Sequence, residues 1–195
     1  MKTNFLFIFF FSFLSVQAQL TVNNDPPNDN PVYLVNNILL GDGVEASNYN
    51  YQGDSIQIGF FNGTASNLGL NSGIVMSTGD ISILDPNFAG FGDFINVNPP
   101  VTDPDLLDVA NSVPALIGQN FVVQDINDVA VLEFDFIPSS DTVTFKYVFA
   151  SQEYFAFENS QYNDVFGFFI SGPGIVGPYA SPAAFPNGSI NIATI

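Results

Sequence analysis

The chain has 195 residues and a formal net charge of −17, with 19 acidic side chains against two lysines, and it contains no His, Cys, Trp or Arg. Without these residue types it cannot form a disulfide, a Cys or His metal site, or a Ser-His or Cys-His nucleophile pair, and the lack of clustered cations argues against nucleic-acid binding. A hydrophobic content of 47% with 22 phenylalanines predicts a folded chain rather than a disordered one.

Residues 1–18 have the pattern of a secretory signal peptide. A positively charged start is followed by an apolar run over residues 5–14, and Ala18 precedes Gln19 at a small-residue cleavage site. The apolar run is about ten residues long, whereas a membrane-spanning helix needs about 20. We therefore expect an exported mature chain without a membrane span, either secreted or held at the cell surface.

The next segments are read as a leader followed by strands. Residues 19–31 are rich in Asn, Asp and Pro, and we expect them to be a leader segment without a packing pattern. Residues 32–41, 55–61 and 73–79 are apolar stretches bounded by turn-forming residues, and we read them as strands.

A long irregular stretch, rich in Pro, Asn, Asp and Gly, covers residues 85–128. Inside it we predict one short helix over residues 103–111. Asp103 is a suitable cap for its first turn, and Leu106 and Ala110 follow helical spacing.

The last third of the chain carries the strongest strand signal. Residues 130–138, 141–150 and 164–172 alternate aromatic or β-branched side chains with others, a period of two that is typical of half-buried strands. Strands without long intervening helices predict an all-β fold, an antiparallel and jelly-roll-like β-sandwich over residues 32–195. Residues 189–195 alternate again as the chain ends, so we expect the domain to be incomplete at its C-terminus.

The loop between the last two of these strands, residues 151–163, is far longer than the about 2–5 residues of an ordinary hairpin loop. It contains Glu153 and Asn163, and Asp164 lies at its exit. Carboxylate and amide oxygens suit Ca²⁺, which takes about 6–8 oxygen ligands. We therefore predict a calcium site built on these three residues. The alternative is a solvated acidic loop that binds no ion.

The same loop carries aromatic side chains, Tyr154, Phe155 and Tyr162, which can stack on a sugar or fill a pocket in a protein partner. We predict a non-catalytic extracellular module that serves adhesion or recognises a glycan or a surface protein. A structural spacer between an anchor and other domains is the first alternative.

A carboxylate-based glycan hydrolase is the second alternative, with Glu153 and Asp164, or Glu133 and Asp135, as the acid pair. Such chemistry needs two carboxyl groups about 5–9.5 Å apart across a cleft. Nothing in the sequence pattern marks a cleft.

The run LEFDFIPSSDTVTFKYVFASQEYFAFENSQYNDVFGFFISGPG, residues 132–174, resembles the central motif of the choice-of-anchor L domain family. The runs YLVNNILLGDGVEASN and GFFNGTASNLGLNSGIVMSTGDI resemble the opening of the same family. Gln152 departs from the family pattern, which has an acid before Glu153, and so removes one possible cation ligand. The resemblance covers residues 32–195 and implies further strands after them.

This resemblance implies a setting rather than an activity. Domains of this family are found in exported, surface-attached bacterial proteins with various C-terminal anchors. In members from the Bacteroidota, a type IX secretion sorting domain or a gliding-motility-associated domain often follows. The resemblance does not assign a molecular activity.

Overall fold

The computed structural model describes residues 19–86, 103–151 and 164–193. Antiparallel strands form most of the regular structure in these ranges. The helices and strands, in chain order, are β1 (Gln19–Asn23), α1 (Pro31–Leu34, continued by a π-helical turn Val35–Leu39), β2 (Glu45–Gln52), β3 (Ile58–Ala65), β4 (Ser72–Met76), α2 (Pro104–Leu116), β5 (Val131–Ile137), β6 (Phe169–Ile170) and β7 (Ile190–Asn191).

The strands of the described ranges form three antiparallel sheets, ordered β1-β3-β4, β2-β5 and β6-β7. The predicted mainly-β, antiparallel class is confirmed. The jelly-roll-like sandwich stays a prediction, because these pairings define separate sheets of two or three strands. The strand predictions over 73–79 and 130–138 correspond to β4 and β5, and the one over 55–61 corresponds to β3 from Ile58 onward, because Ser55–Gln57 forms a 3-10 turn.

The expectation that residues 19–31 lack a packing pattern is wrong for their first part. Strand β1 lies antiparallel to β3, with Thr21 opposite Asn62 and Val22 opposite Phe61. The apolar alternation of this strand is only a few residues long and runs directly into turn-forming residues. Its stability comes from hydrogen bonding to β3, a long-range contact that local sequence does not reveal.

The strand predicted over residues 32–41 is also wrong, since this segment is helical. The Asn30 side chain accepts hydrogen bonds from the backbone N–H groups of Val32 (2.9 Å) and Tyr33 (3.3 Å), which caps the first turn. Proline occupies the first helical position, where no N–H is required. Leu34 and Val35 are fully buried, so helix capping and a helical apolar face prevail over the bare apolar content.

Among the described residues, most of the fully buried side chains lie between α1 and the sheet β1-β3-β4. Gln57 is fully buried there, and both polar atoms of its side-chain amide form hydrogen bonds. Its Oε1 accepts from Asp54 N at 2.7 Å, and its Nε2 donates to the carbonyls of Thr78 (3.2 Å) and Asp128 (2.8 Å). The buried apolar side chains are Leu34, Val35, Ile58, Phe61, Ile81 and Val129.

The predicted helix over residues 103–111 is confirmed as α2, which runs on to Leu116. Its cap is the expected one, because the Asp103 side chain accepts from Leu106 N at 2.9 Å. Two side chains of this helix form hydrogen bonds to the backbone of segments distant in sequence. Asn111 makes two hydrogen bonds to the backbone of Val123, and both oxygens of the Asp105 carboxylate accept from Ala180 N at 3.1 Å. Helix α2 therefore connects the segment before β5 with the C-terminal hairpin.

Candidate functional site

The segments on either side of the loop lie next to each other and run in opposite directions. Phe145 meets Phe168 with ring centroids 5.0 Å apart, and Tyr147 meets Phe166 at 5.4 Å. Moving two residues along the first segment moves the contact two residues back along the second, which is the pairing expected of antiparallel neighbours. The alternation that predicted two half-buried strands here therefore places the rings on one common face.

The backbone of these segments differs from the prediction. No hydrogen-bonded strand is assigned over residues 142–150, and of residues 164–172 only Phe169–Ile170 forms one. Ring contacts, rather than a regular backbone ladder, characterise the described part of this pair. Aromatic pairs contribute about 0.5–1.5 kcal/mol each beyond the area they bury, so a series of them can hold two segments together.

The ring contacts continue into the sheet β2-β5. Phe145 packs edge-on against Phe136 at 6.2 Å, and Phe136 lies 6.2 Å from Phe134 in the same strand. At the other end Phe149 stacks on Phe166 at 5.7 Å with an interplanar angle of 25°. We call this connected set the aromatic ladder; it comprises Phe134, Phe136, Phe145, Tyr147, Phe149, Phe166 and Phe168.

The aromatic ladder passes from half-buried rings at β5 to solvent-exposed rings beside the loop. Tyr147, Phe149 and Phe166 retain 41%, 46% and 39% of their accessible surface. We call these three residues the open end of the ladder. Neighbouring exposed aromatic side chains are unusual on a protein surface and commonly mark a binding site.

The two ends of the loop meet next to the open end. The Ser151 hydroxyl donates to Oδ2 of Asp164 at 2.9 Å, and both residues are two positions from an open-end ring, Phe149 and Phe166. Because side chains two positions apart in extended chain share a face, this hydrogen bond continues the row of paired rings. Asp164 is exposed, so its carboxylate faces solvent at the mouth of the loop.

Of the predicted calcium ligands, Asp164 is placed at the loop mouth, while Glu153 and Asn163 lie outside the described residues. Within the described ranges, no group of three or more His, Cys, Asp or Glu side chains is arranged to hold a metal ion. The calcium site therefore stays a prediction. The loop aromatics Tyr154, Phe155 and Tyr162 and the cleavage residue Ala18 also lie outside the described residues, and Gln19 is the first residue of β1.

The face of β5 opposite the aromatic ladder carries paired acids and amides. Asn50 Nδ2 donates to Glu133 Oε2 at 2.7 Å, and Asn48 Nδ2 donates to Asp135 Oδ2 at 2.6 Å. All four side chains belong to exposed residues. Two carboxylates side by side on an open strand face do not enclose a substrate, so this pair does not have the cleft that glycoside hydrolysis requires.

Sequence reasoning missed the two asparagines of this face. Their signal is the polar–tyrosine alternation of N-Y-N-Y over residues 48–51. A register shift between Ser47 and Asn50, with Asn48 at a positive φ of 53°, brings both amides to the side of the acids. Such a bulge is set by pairing with β5 and is invisible in the segment itself.

Tyr51, on the other side of β2, is a structural group. Its hydroxyl donates to the carbonyl of Asp54 at 2.8 Å. Burial, reinforced by the Asp54 charge, raises the pKa of Tyr51 well above the ordinary tyrosine value. The phenol therefore stays a protonated donor and does not supply acid–base chemistry near neutral pH.

A hollow of about 330 Å³ lies at the start of α2. Its Asp103 carboxylate is already engaged as the helix cap, and the lining is mainly apolar. The open end of the aromatic ladder, with three neighbouring exposed rings, is therefore the stronger candidate. The hollow is lined by Asp103, Pro104, Leu107, Gln124, Asp125 and Ile126.

Within residues 19–86, 103–151 and 164–193, no helix has both the length and the apolar character needed to cross a membrane. A family model described as the choice-of-anchor L domain matches residues 21–195, nearly the whole chain. Comparisons with curated proteins and with solved structures find no match. The family match begins within β1, in agreement with the pairing of that strand to β3.

Proposed function

This chain belongs to the choice-of-anchor L domain family, and from that premise we propose that it is a non-catalytic recognition module that binds a glycan or a protein outside the cell. Membership of this family implies an exported or cell-surface protein and a non-enzymatic surface module. The resemblance drawn from residues 132–174 is confirmed by the match. Adhesion and ligand class belong to the proposal.

The observation that carries the proposal is the open end of the aromatic ladder. Tyr147, Phe149 and Phe166 are exposed, yet the rings behind them are packed, so these three are held in place before a partner arrives. Covering an aromatic side chain removes about 150–250 Å² from water, and each Å² of apolar area contributes about 25 cal/mol. A spacer gains nothing from rigid exposed rings, whereas a recognition surface does.

We include calcium in the proposal as the ion that orders the loop. Asp164 supports this part, because its carboxylate is exposed where the two loop ends meet and only its Oδ2 takes part in the hydrogen bond with Ser151. Glu153 and Asn163 are its proposed partners. An ion at this point would fix the loop beside the open end, since carboxylate and amide oxygens are the ligands that Ca²⁺ prefers.

Calorimetric titration of Ca²⁺ into the mature chain tests the ion. We expect measurable heat and a higher melting temperature in Ca²⁺ than in chelator, both lost in Asp164→Asn and retained in Asp141→Asn, an exposed acid elsewhere. No heat and no shift in the wild-type chain would remove calcium from the proposal and leave the aromatic surface in place.

Adhesion of coated beads to the surface of the source cells tests recognition. The mature chain and Phe149→Leu/Phe166→Leu are compared, because leucine keeps an apolar side chain while removing the ring. Val148→Ala is the control, since Val148 is exposed between two ladder rings and alternates to the other side. Equal adhesion of wild type and double variant would favour the spacer alternative. A polysaccharide-degrading activity lost in Glu153→Gln would overturn the non-catalytic assignment.

A further inference from the structure

The charge of the chain restricts what can approach the open end. Nineteen acids are opposed by two lysines, and Lys146 is the only cationic residue after position 18. Lys146 is exposed and adjacent in sequence to Tyr147, so alternation turns it away from the ladder face. A field of this sign repels anionic polymers and attracts cationic ones during the encounter.

The ring arrangement of the open end suits a cation. Phe166 stands next to two exposed rings, Phe149 at 5.7 Å with planes 25° apart and Tyr147 at 5.4 Å with planes 39° apart. The face of an aromatic ring is the negative side of its quadrupole, and a Lys or Arg side chain within about 6 Å of the centroid is attracted to it. The stacked pair covers one face of Phe149 and of Phe166, and the exposed surface that these two rings and Tyr147 retain is where a cation can approach.

A carboxylate stands at the end of the same row. Asp164 is two residues before Phe166, and the Ser151 hydroxyl holds its Oδ2 at 2.9 Å. When no calcium ion occupies Asp164, a cationic side chain placed over the rings can therefore pair with this oriented carboxylate, so calcium and the cationic segment compete for it. A neutral glycan would use the rings alone and would gain nothing from the charge of the chain.

We infer that the open end of the aromatic ladder, with Asp164, binds a cationic polypeptide segment through its lysine or arginine side chains. This inference rests on the proposed recognition function and names the class of its partner. Rings and carboxylate together recognise the cation, and the long-range field of the acidic chain brings it in. Binding is consequently salt-dependent, and it depends on the rings even when the charge of the chain is unchanged.

The test uses the mature chain and decalysine, with decalysine acetylated on every side chain as the uncharged probe. Wild type is expected to bind decalysine and not the acetylated peptide, with weaker binding as salt is raised. Phe149→Leu/Phe166→Leu keeps the net charge and is expected to bind decalysine about tenfold more weakly. Val148→Ala, the matched control at the position between Tyr147 and Phe149, is expected to bind like wild type.

Each result decides between the inference and its premise. Equal decalysine binding by wild type and the double variant would mean that the charge field alone attracts the peptide, and the inference would be overturned. If the double variant instead loses binding to a neutral polysaccharide such as dextran or mannan and keeps decalysine binding, the surface recognises glycans and only the cationic partner is wrong. If the double variant binds both decalysine and the neutral polysaccharide as wild type does, the proposed recognition function of this surface is overturned as well.

A second pair of variants protects the test from misfolding. The single change Phe149→Leu affects the most exposed ring of the three and is expected to weaken decalysine binding about threefold. Asp164→Asn removes the carboxylate with little change of shape and is expected to have an effect of similar size, measured with calcium and with chelator in parallel. Wild-type affinity in both single variants, with melting temperatures unchanged, would also overturn the inference.

Discussion

The sheet β1-β3-β4 with helix α1 and the aromatic ladder are stabilised in different ways. In the first region Leu34, Val35 and Ile58 are fully buried, and a buried glutamine joins three backbone segments. In the second region the contacts are between rings, and those at the open end remain exposed. The first region therefore determines whether the chain folds, whereas the second keeps apolar surface available for a partner.

If this comparison is right, the largest loss of stability comes from Gln57. Gln57→Leu removes three hydrogen bonds and leaves Asp54 N and the carbonyls of Thr78 and Asp128 without the amide. A fully buried group left unpaired costs about 1–3 kcal/mol, and because these three groups are only partly buried we expect the free energy of unfolding to fall by about 2–4 kcal/mol. Urea denaturation measures it, with Gln52→Ala at an exposed position of β2 as the control. A loss below about 1 kcal/mol would contradict the conclusion that Gln57 holds these three backbone segments together.

The contact between helix α2 and the segment that carries Phe166 and Phe168 is tested by Gly167. An added Cβ there would lie 2.6 Å from one ring atom of Phe169 and 3.0 Å from Leu106. We expect Gly167→Ala to cost about 1–3 kcal/mol, the usual range for overpacking. At Gly172 the nearest atom, Ile175 Cδ1, is at 3.6 Å, so Gly172→Ala is the matched control. Equal melting temperatures for the two variants would show that α2 does not pack against this segment.

The dependence of stability on alkaline pH tests the burial of Tyr51 in the sheet β2-β5. Unfolded tyrosine ionises near pH of about 10, whereas burial keeps the folded phenol protonated at higher pH. Between these two pKa values the folded state binds more protons, so the free energy of unfolding falls as pH rises. Tyr51→Phe removes this dependence.

At neutral pH we expect Tyr51→Phe to be about 1 kcal/mol less stable, because it loses the hydrogen bond to the Asp54 carbonyl. The stability curves of wild type and variant should then approach each other above a pH of about 10. Urea denaturation at a series of pH values measures both. Parallel curves would contradict burial of the Tyr51 phenol as the cause of the fall in stability at alkaline pH.

The smallest effect on stability is expected at the open end. Phe149 retains 46% of its surface, so Phe149→Leu should lower the free energy of unfolding by less than about 1 kcal/mol. Thermal and urea denaturation of the variant measure this loss. A large loss would show that the open end belongs to the folding core, and the contrast between the two regions would disappear.

Much of the fold could be predicted because the signals are local. The alternation of β5 and the cap of α2 by Asp103 each lie within a few residues, and the structure confirms both predictions. The alternation flanking the loop also predicts which side chains share a face, and Phe145 meets Phe168 while Tyr147 meets Phe166 accordingly.

What was missed depends on partners distant in sequence. Strand β1 is defined by its hydrogen bonds to β3, and the amide–acid pairs of Asn48 and Asn50 are formed only when β2 and β5 meet. Helix α1 differs from the predicted strand because the Asn-Pro start caps a helix, a local signal that apolar content alone does not convey. Of the candidate site, the sequence identified the loop and Asp164, but the exposed rings next to the loop emerged only from the pairing of its flanks.

The central claim is that the open end of the aromatic ladder is a recognition surface. The most direct measurement compares adhesion to source cells of beads coated with wild type, Phe149→Leu/Phe166→Leu and Val148→Ala, at equal coating and with unfolding midpoints checked for each. The account predicts that the double variant loses most adhesion while Val148→Ala retains it. Undiminished adhesion of a folded double variant would contradict the claim.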